Sequence, residues 1–130
     1  MKREAIRVEP LSSCLARWNA PISSGDARGR HGLCLGLPAV RSRNRRDLPV
    51  PIERQTELIL KQMKLCLETA GTSLQNVMKC NIYFTSAKHF ATVNAIYGHY
   101  FPEDPPARIF VYVPEWPGPF DIEIDCVAVV

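Results

Sequence analysis

Two neighbouring stretches decide the fold of this chain: PIERQTELILKQMKLCLETAG at residues 51–71 and VMKCNIYFT at residues 77–85. In the first, apolar residues recur at helical spacing and a glycine ends the run, which predicts an amphipathic helix. The second alternates between apolar and polar residues, with Cys80, Ile82 and Phe84 on one side, which predicts a half-buried strand. A helix followed at once by such a strand indicates a layered domain.

The pattern continues on both sides of these stretches. Residues 86–100 repeat the helical spacing, with Phe90 and Tyr97 expected in the core. From residue 51 onward the predicted order is helix, strand, helix, strand, strand. We therefore expect an α+β fold in which both helices cover one face of a sheet. The remaining predicted strands are residues 4–8, 109–113 and 120–130.

Length and composition limit the class of protein. The chain has 130 residues, of which 46% are apolar and 22% charged, the balance of one ordinary globular domain spanning residues 1–130. No apolar run approaches a bilayer span, and the first residues lack a signal peptide's apolar stretch. The five cysteines form no C-x-x-C pair and the three histidines are scattered, so we expect no metal site, no disulfide framework and a cytoplasmic location.

Positive charge is concentrated in the first 50 residues, which carry a formal +6, whereas residues 51–130 carry −3. Clustered arginines neutralise phosphates, so this segment could be an arm that binds RNA or DNA. A solvated loop is the other interpretation, and the absence of aromatic residues from 19–82 removes any platform for base stacking. Both interpretations stay open at this point. The excess comes from Arg28, Arg30, Arg41, Arg43, Arg45 and Arg46.

The second half of the chain carries five short motifs in a fixed order: PIERQT at 51–56, AGTSL at 70–74, FATVN at 90–94, PAR at 106–108 and IEID at 122–125. Together they resemble the RidA family of imine and enamine deaminases, also called the YjgF-type or L-PSP family. The resemblance is close over residues 51–130 and weaker over 1–23.

This resemblance implies a mixed sheet backed by two helices, the chorismate-mutase-like RidA fold. It also implies a homotrimer whose active sites lie in clefts between subunits. Family members hydrolyse reactive imines such as 2-iminopropanoate to the 2-keto acid and ammonia, and the resemblance implies no cofactor. Some members are described instead as ribonucleases that inhibit translation.

The resemblance disappears over residues 24–50 although the spacing is kept. Reading the gene one nucleotide later through this stretch, with permitted codons, restores a family-like strand and turn. Our hypothesis is a compensated frameshift or sequencing error from about Ser24 to Pro49, and the arginines would then be its by-product. As written, Gly32–Leu35 would form a poorer strand, so we expect weaker folding and an impaired site. Sequencing the source DNA tests this, since no neighbouring frame would encode that strand if the hypothesis were wrong.

Two charged residues are the candidates for chemistry. Arg108 follows two prolines that keep the chain extended, and a guanidinium pairs with a carboxylate through two hydrogen bonds. Alternation places Glu123 on one strand face with Asp121 and Asp125. A carboxylate in a partly desolvated cleft can activate water. A surface arginine and a solvated acidic face are the alternatives, and the resemblance favours Arg108 as substrate anchor and Glu123 as the water-activating group.

Four further residues are assigned to the site, and none of them carries a charged group. Asn94 lies mid-helix, where asparagine is a poor helix former, which indicates a tertiary hydrogen bond. Leu35 and Gly36 stand where the resemblance places the pocket serine and the glycine after it. Trp116 either walls the pocket or anchors a packed loop. Two other functions stay open: a non-catalytic trimer that binds small keto or amino acids, and RNA binding or cleavage.

Overall fold

A six-stranded mixed sheet with two helices forms the framework of the computed structural model, which describes residues 4–9, 12–13, 25–27, 33–38, 50–115 and 120–130. The helices are α1 (Ile52–Thr69) and α2 (Phe90–Tyr100). The strands are β1 (Glu4–Ile6), β2 (Gly25–Ala27), β3 (Leu33–Pro38), β4 (Val77–Phe84), β5 (Ala107–Tyr112) and β6 (Ile122–Ala128).

The strands lie in the order β1-β2-β3-β6-β4-β5, and the last pair, β4 with β5, is the parallel one. Strand β6 therefore lies between β3 and β4, antiparallel to both. The predicted order of helices and strands from residue 51 is confirmed, and so is the mixed α+β sheet. No helix within the described ranges is long and apolar enough to cross a membrane.

Helix α1 forms where its apolar spacing predicts it. Its buried side chains include Ile59, Leu60, Met63 and Leu67, and each one contributes roughly 1.5–3 kcal/mol by leaving water. The helix ends before Gly71, whose φ of +82° is a conformation that glycine adopts without strain. The predicted boundaries of this helix are confirmed to within two residues.

Helix α2 begins later than predicted. The hydroxyl of Ser86 accepts a hydrogen bond from the Lys88 amide and caps a 3-10 turn over Ala87–His89, so the α-helix itself starts at Phe90. The prediction that Phe90 lies in the core is wrong, because its side chain is 47% exposed at the first helical residue. Tyr97, two turns later, is 3% exposed, and its assignment to the core is confirmed.

The sheet has two unlike faces. The covered face, against which both helices pack, carries the apolar residues of β4 and β6. Its alternation was predicted correctly for β4. Its members are Cys80, Ile82, Phe84, Ile122, Ile124 and Cys126, all 5% exposed or less.

The open face mixes half-buried polar groups with exposed apolar ones. Ile109, Val111 and Val127 are 48%, 37% and 39% exposed there. Within the described residues, no helix packs against this face. Its polar members include Lys79, Asn81, Tyr83, Glu123 and Asp125.

The segment that lost the family resemblance contains two strands. We expected Gly32–Leu35 to be extended, and β3 runs instead from Leu33 to Pro38, in register with β6 along its whole length. Pairing with a central strand therefore holds this segment in the sheet. The arginine cluster lies outside the described residues, and the frameshift remains a hypothesis.

Candidate functional site

Arg108 belongs to the covered face, at the edge of the sheet. It lies on edge strand β5 in parallel register with Cys80, a residue of that face. Its guanidinium Nη2 donates a hydrogen bond to Asn94 Oδ1 on α2 at 2.7 Å. The tertiary hydrogen bond predicted for the mid-helix asparagine is therefore present. It ties the strand that carries the arginine to the helix above it.

Two aromatic rings also orient this guanidinium. The Arg108 Cζ atom stands 4.3 Å from the centre of the Phe110 ring and 4.7 Å from that of Tyr97. A cation over an aromatic face gains roughly 0.5–1 kcal/mol when exposed and about 2 kcal/mol when desolvated. Arg108 is half-buried. These contacts orient the guanidinium and distinguish it from a free surface arginine.

A concavity of about 410 Å³ opens beside Arg108. Its size suits a small ligand, and arginine and asparagine supply the groups that could orient one. A larger concavity of about 590 Å³, between the C-terminal ends of the two helices, includes none of the predicted site residues. The smaller one is lined by Asn94, Tyr97, Gly98, Phe101, Pro105, Pro106 and Arg108.

Glu123 lies on the other side of the sheet. It alternates with the buried Ile122 and Ile124 of β6, so its side chain belongs to the open face. Burial between neighbouring strands raises the pKa of its carboxyl group, and the negative charge of Asp125 raises it further. A raised pKa favours the protonated form of this acid, and a carboxyl group can act as a general acid or base toward a nearby water.

Asp125 shares the open face with Glu123 but has different partners. Its Oδ1 accepts a hydrogen bond from Asn81 Nδ2 at 2.7 Å, and its Oδ2 accepts one from the Tyr83 hydroxyl at 2.9 Å. The bond to Asp125 raises the pKa of Tyr83, because it is the phenol that donates. Both oxygens of this carboxylate are therefore occupied by donors.

The prediction that Asp121 shares this face is wrong. Asp121 precedes the first residue of β6, and its carboxylate accepts hydrogen bonds from Thr85 Oγ1 at 2.8 Å and Gln55 Nε2 at 2.9 Å. Its own amide donates to Gln55 Oε1 at 2.7 Å. Strand alternation does not extend to a residue outside the strand, and Asp121 instead ties the start of β6 to α1.

The structure therefore brings together only part of the predicted site. Arg108 and Asn94 meet on the covered side, whereas Glu123 faces the opposite way in the same chain. The backbones of Leu35 and Gly36 lie beside β6, in register with Cys126 and Asp125. Trp116 lies outside the described residues, so its assignment stays a prediction. Within the part of the chain that is described, no three His, Cys, Asp or Glu side chains cluster in a way that could hold a metal ion.

Sequence reasoning missed four side chains that surround these groups. Phe110 could have been found, because period-two alternation places it on the same face as Arg108. Tyr97 was assigned only to the core, although its ring also lies under the guanidinium. Asn81 and Tyr83 gave no signal by themselves, since their contacts depend on the register of β4 with β6.

Comparison with known proteins shows the family to which the chain is similar. The family model described as Endoribonuclease L-PSP matches residues 36–130. Reactive Intermediate Deaminase A, chloroplastic, of Arabidopsis thaliana is 30% identical over 98% of this chain and 66% of its own length. A Rid-family protein of unknown function from Yersinia pestis has a similar structure, with 26% identity and a TM-score of 0.85 over 99% of this chain and all of that one.

The structure of E. coli TdcF with bound serine is also similar, with 25% identity and a TM-score of 0.76 over 85% of this chain and 89% of that one. The chain spans about three fifths of the length of several other curated relatives that it matches, between 57% and 61%.

Proposed function

The chain belongs to the RidA (YjgF, L-PSP) family, and from that premise we propose that it hydrolyses small reactive 2-imino acids to 2-keto acids and ammonia. One observation carries the proposal: Arg108 is held beside a small concavity by Asn94 and two rings, with further N–H groups free to bind an anion. Every 2-imino acid carries a carboxylate, and an arginine edge binds that group through two hydrogen bonds.

The reaction needs water and one proton carrier besides this anchor. Water adds to the C=N carbon, and Glu123 takes a proton from it. That proton is delivered to the nitrogen, which gives a carbinolamine. Glu123 then carries the hydroxyl proton of the carbinolamine to the nitrogen, the C–N bond breaks, and ammonia leaves as the carbonyl forms. Since imines hydrolyse readily by themselves, positioning and a single acid–base group supply the needed acceleration. The proposed step calls for no cofactor and no metal.

The opposite orientation of Arg108 and Glu123 leads us to propose that the working site combines two copies. The open face, with its exposed Ile109, Val111 and Val127, offers apolar surface for such an association. The homotrimer implied by the family would close this face, and Glu123 of one copy would then meet Arg108 of the next. Binding and catalysis would both depend on assembly.

Two other functions predict different behaviour of the same protein. A non-catalytic trimer would bind 2-keto or amino acids through Arg108 without turnover, and the serine bound to TdcF is compatible with such binding. RNA cleavage has the family model's description in its favour, yet its arginine cluster lies outside the described residues. A cytoplasmic location stays a prediction, because the Arabidopsis relative is named as chloroplastic.

The test measures ammonia and pyruvate released from enzymatically generated 2-aminoacrylate. We expect wild-type turnover, and Arg108→Ala should lower kcat/KM by about 100-fold or more, since two charge-assisted hydrogen bonds of roughly 1.5–3 kcal/mol each are lost. The matched control is Arg54→Ala on the exposed side of α1, which should keep wild-type rates.

If the wild type binds pyruvate saturably but shows no turnover, the enzymatic function is rejected in favour of a non-catalytic binding function. Salt-dependent affinity for RNA, retained in Arg108→Ala, would favour the nucleic-acid function instead. Equal turnover in Arg108→Ala and the wild type would show that Arg108 is not the anchor.

A further inference from the structure

The open face places two carboxyl groups side by side in unequal surroundings. Asp125 receives one hydrogen bond on each oxygen, from Asn81 and Tyr83. Hydrogen bonds donated to both oxygens of a carboxyl group restrict its rotation. No such pair of donors from the described residues reaches Glu123. The carboxyl group of Asp125 is therefore held in one orientation, whereas no such pair of bonds restricts that of Glu123.

The rise per residue along β6 sets the spacing of Glu123 and Asp125. Glu123 and Asp125 are two residues apart on β6, so both side chains leave the same face about 7 Å apart along the strand. Tyr83 lies opposite Glu123 in register and reaches diagonally to Asp125. Both acids are half-buried, and at such a distance one charge changes the ionisation of the other.

We propose that Asp125 is a positioning residue for Glu123: Asn81 and Tyr83 hold its carboxylate in place beside Glu123, and that held carboxylate controls the exchange of a proton between Glu123 and water. This inference deepens the proposed function and rests on it. It gives the two acids of the IEID motif separate tasks, since only Glu123 touches the reacting water. Asp125 acts through Glu123 and is not itself a catalytic residue.

The other groups that face Glu123 do not supply this charge. On β4 they are Asn81, Tyr83 and Lys79, and the lysine is an exposed cation in register with Val127, beyond Asp125. Strand β5 contributes Ile109 and Val111 to this face, and β3 places the backbone of Pro38 beside Glu123. Among the described residues, Asp125 is the anion of this face that neighbours Glu123.

The experiment follows the side-chain carboxyl carbon of Glu123 by NMR as the pH of the whole protein is varied. Asp125→Asn keeps the shape of the side chain and removes its charge. Without the neighbouring negative charge Glu123 ionises more easily, so its titration midpoint should fall toward the ordinary value for glutamate. Asp125→Glu restores the charge and should keep the midpoint close to that of the wild type.

The rate profile gives a second readout that a structural role would not move. In Asp125→Asn the acid limb of kcat should shift to lower pH, while KM, which depends on Arg108, should stay near its wild-type value. Asp125→Ser keeps a group that can bond to Asn81 and Tyr83, and it serves as the uncharged variant if Asp125→Asn fails to fold. It should lower the midpoint in the same direction.

An unchanged Glu123 midpoint in the uncharged variants would overturn the inference, and so would an equal fall in Asp125→Glu. The NMR titration needs no turnover, so its result is separate from that of the imine assay. If the uncharged variants lower the Glu123 midpoint but the wild type has no deaminase activity, the influence of Asp125 on Glu123 is supported and only the proposed reaction is rejected.

Discussion

The covered and open faces of the sheet carry different halves of the candidate chemistry. On the covered face, six apolar strand residues pack under two helices, and Arg108 is held at the rim by Asn94 and two rings. On the open face, Glu123 and Asp125 lie among half-buried polar groups and exposed apolar side chains. The difference teaches that one face is covered by helices of its own chain, whereas the other leaves apolar and charged side chains without a helix over them among the described residues.

The largest expected effect tests whether the two faces meet across copies. Arg108→Ala and Glu123→Gln chains should each be inactive alone. When equal amounts are unfolded together and refolded, each mixed copy of the proposed trimer would contain one intact Arg108–Glu123 junction, and activity should return to about a quarter of the wild-type rate. The imine assay before and after mixing measures this.

Each variant refolded alone provides the control for that mixture. A mixture that stays as inactive as its components would place both groups of the site in one chain or remove Glu123 from the reaction.

A second prediction compares apolar side chains from the two faces. Ile124→Ala on the covered face leaves a cavity in a fully buried core and should lower the free energy of unfolding by about 2–5 kcal/mol. Val127→Ala on the open face removes a side chain that is 39% exposed. Its main effect should be weaker association of copies, with a cost to the stability of each chain within about 0.5 kcal/mol.

Urea unfolding measures the first effect, and sedimentation at several protein concentrations measures the second. If Val127→Ala left association unchanged while Ile109 and Val111 variants did the same, the open face would not be where copies meet.

The smallest expected effect concerns the charge on the open face. The raised pKa of Glu123 means that folded chains hold its proton more tightly than unfolded ones do. Protonation of Glu123 therefore stabilises the folded state. This contribution to the free energy of unfolding is complete below the pKa of the unfolded chain and is lost as the pH rises through the pKa of the folded chain. Glu123→Gln should therefore raise the Tm at neutral pH, and the difference from the wild type should shrink toward pH 4.

Thermal unfolding of both proteins across this pH range measures the effect. A constant Tm difference at all pH values would show that packing, and not the carboxyl proton, separates the two proteins.

Several features of the fold could be read directly from local pattern. Cys80, Ile82 and Phe84 are buried together as the alternation predicts, because side-chain direction in a strand depends only on its period. Residues at the end of an element or just beyond it are not placed by such a pattern. Asp121 turned toward Gln55 of α1, and Phe90, at the first helical residue, remained exposed.

The identity of the site residues could be predicted from the sequence, but their arrangement in space could not. Arg108 and Glu123 both follow from motifs, but their opposite directions follow from the register of β4 with its two neighbours. Arg108 aligns with Cys80, and Glu123 aligns with Tyr83, so an odd number of positions separates them on β4. No local signal encodes that count, since it is set by pairing between strands distant in sequence.

The amino-acid sequence by itself determined the two helices, the chain order of the elements from residue 51, the buried side of β4 and the family, because these depend on periodicity and short motifs within a few turns of chain. Only the tertiary structure decided that β3 pairs along β6 despite its atypical residues and that Asn81 and Tyr83 hold Asp125. It also decided that Arg108 and Glu123 face opposite sides of the sheet. Contacts of this kind join residues far apart in the chain, where hydrogen-bond register and packing, and not local preference, select the neighbours.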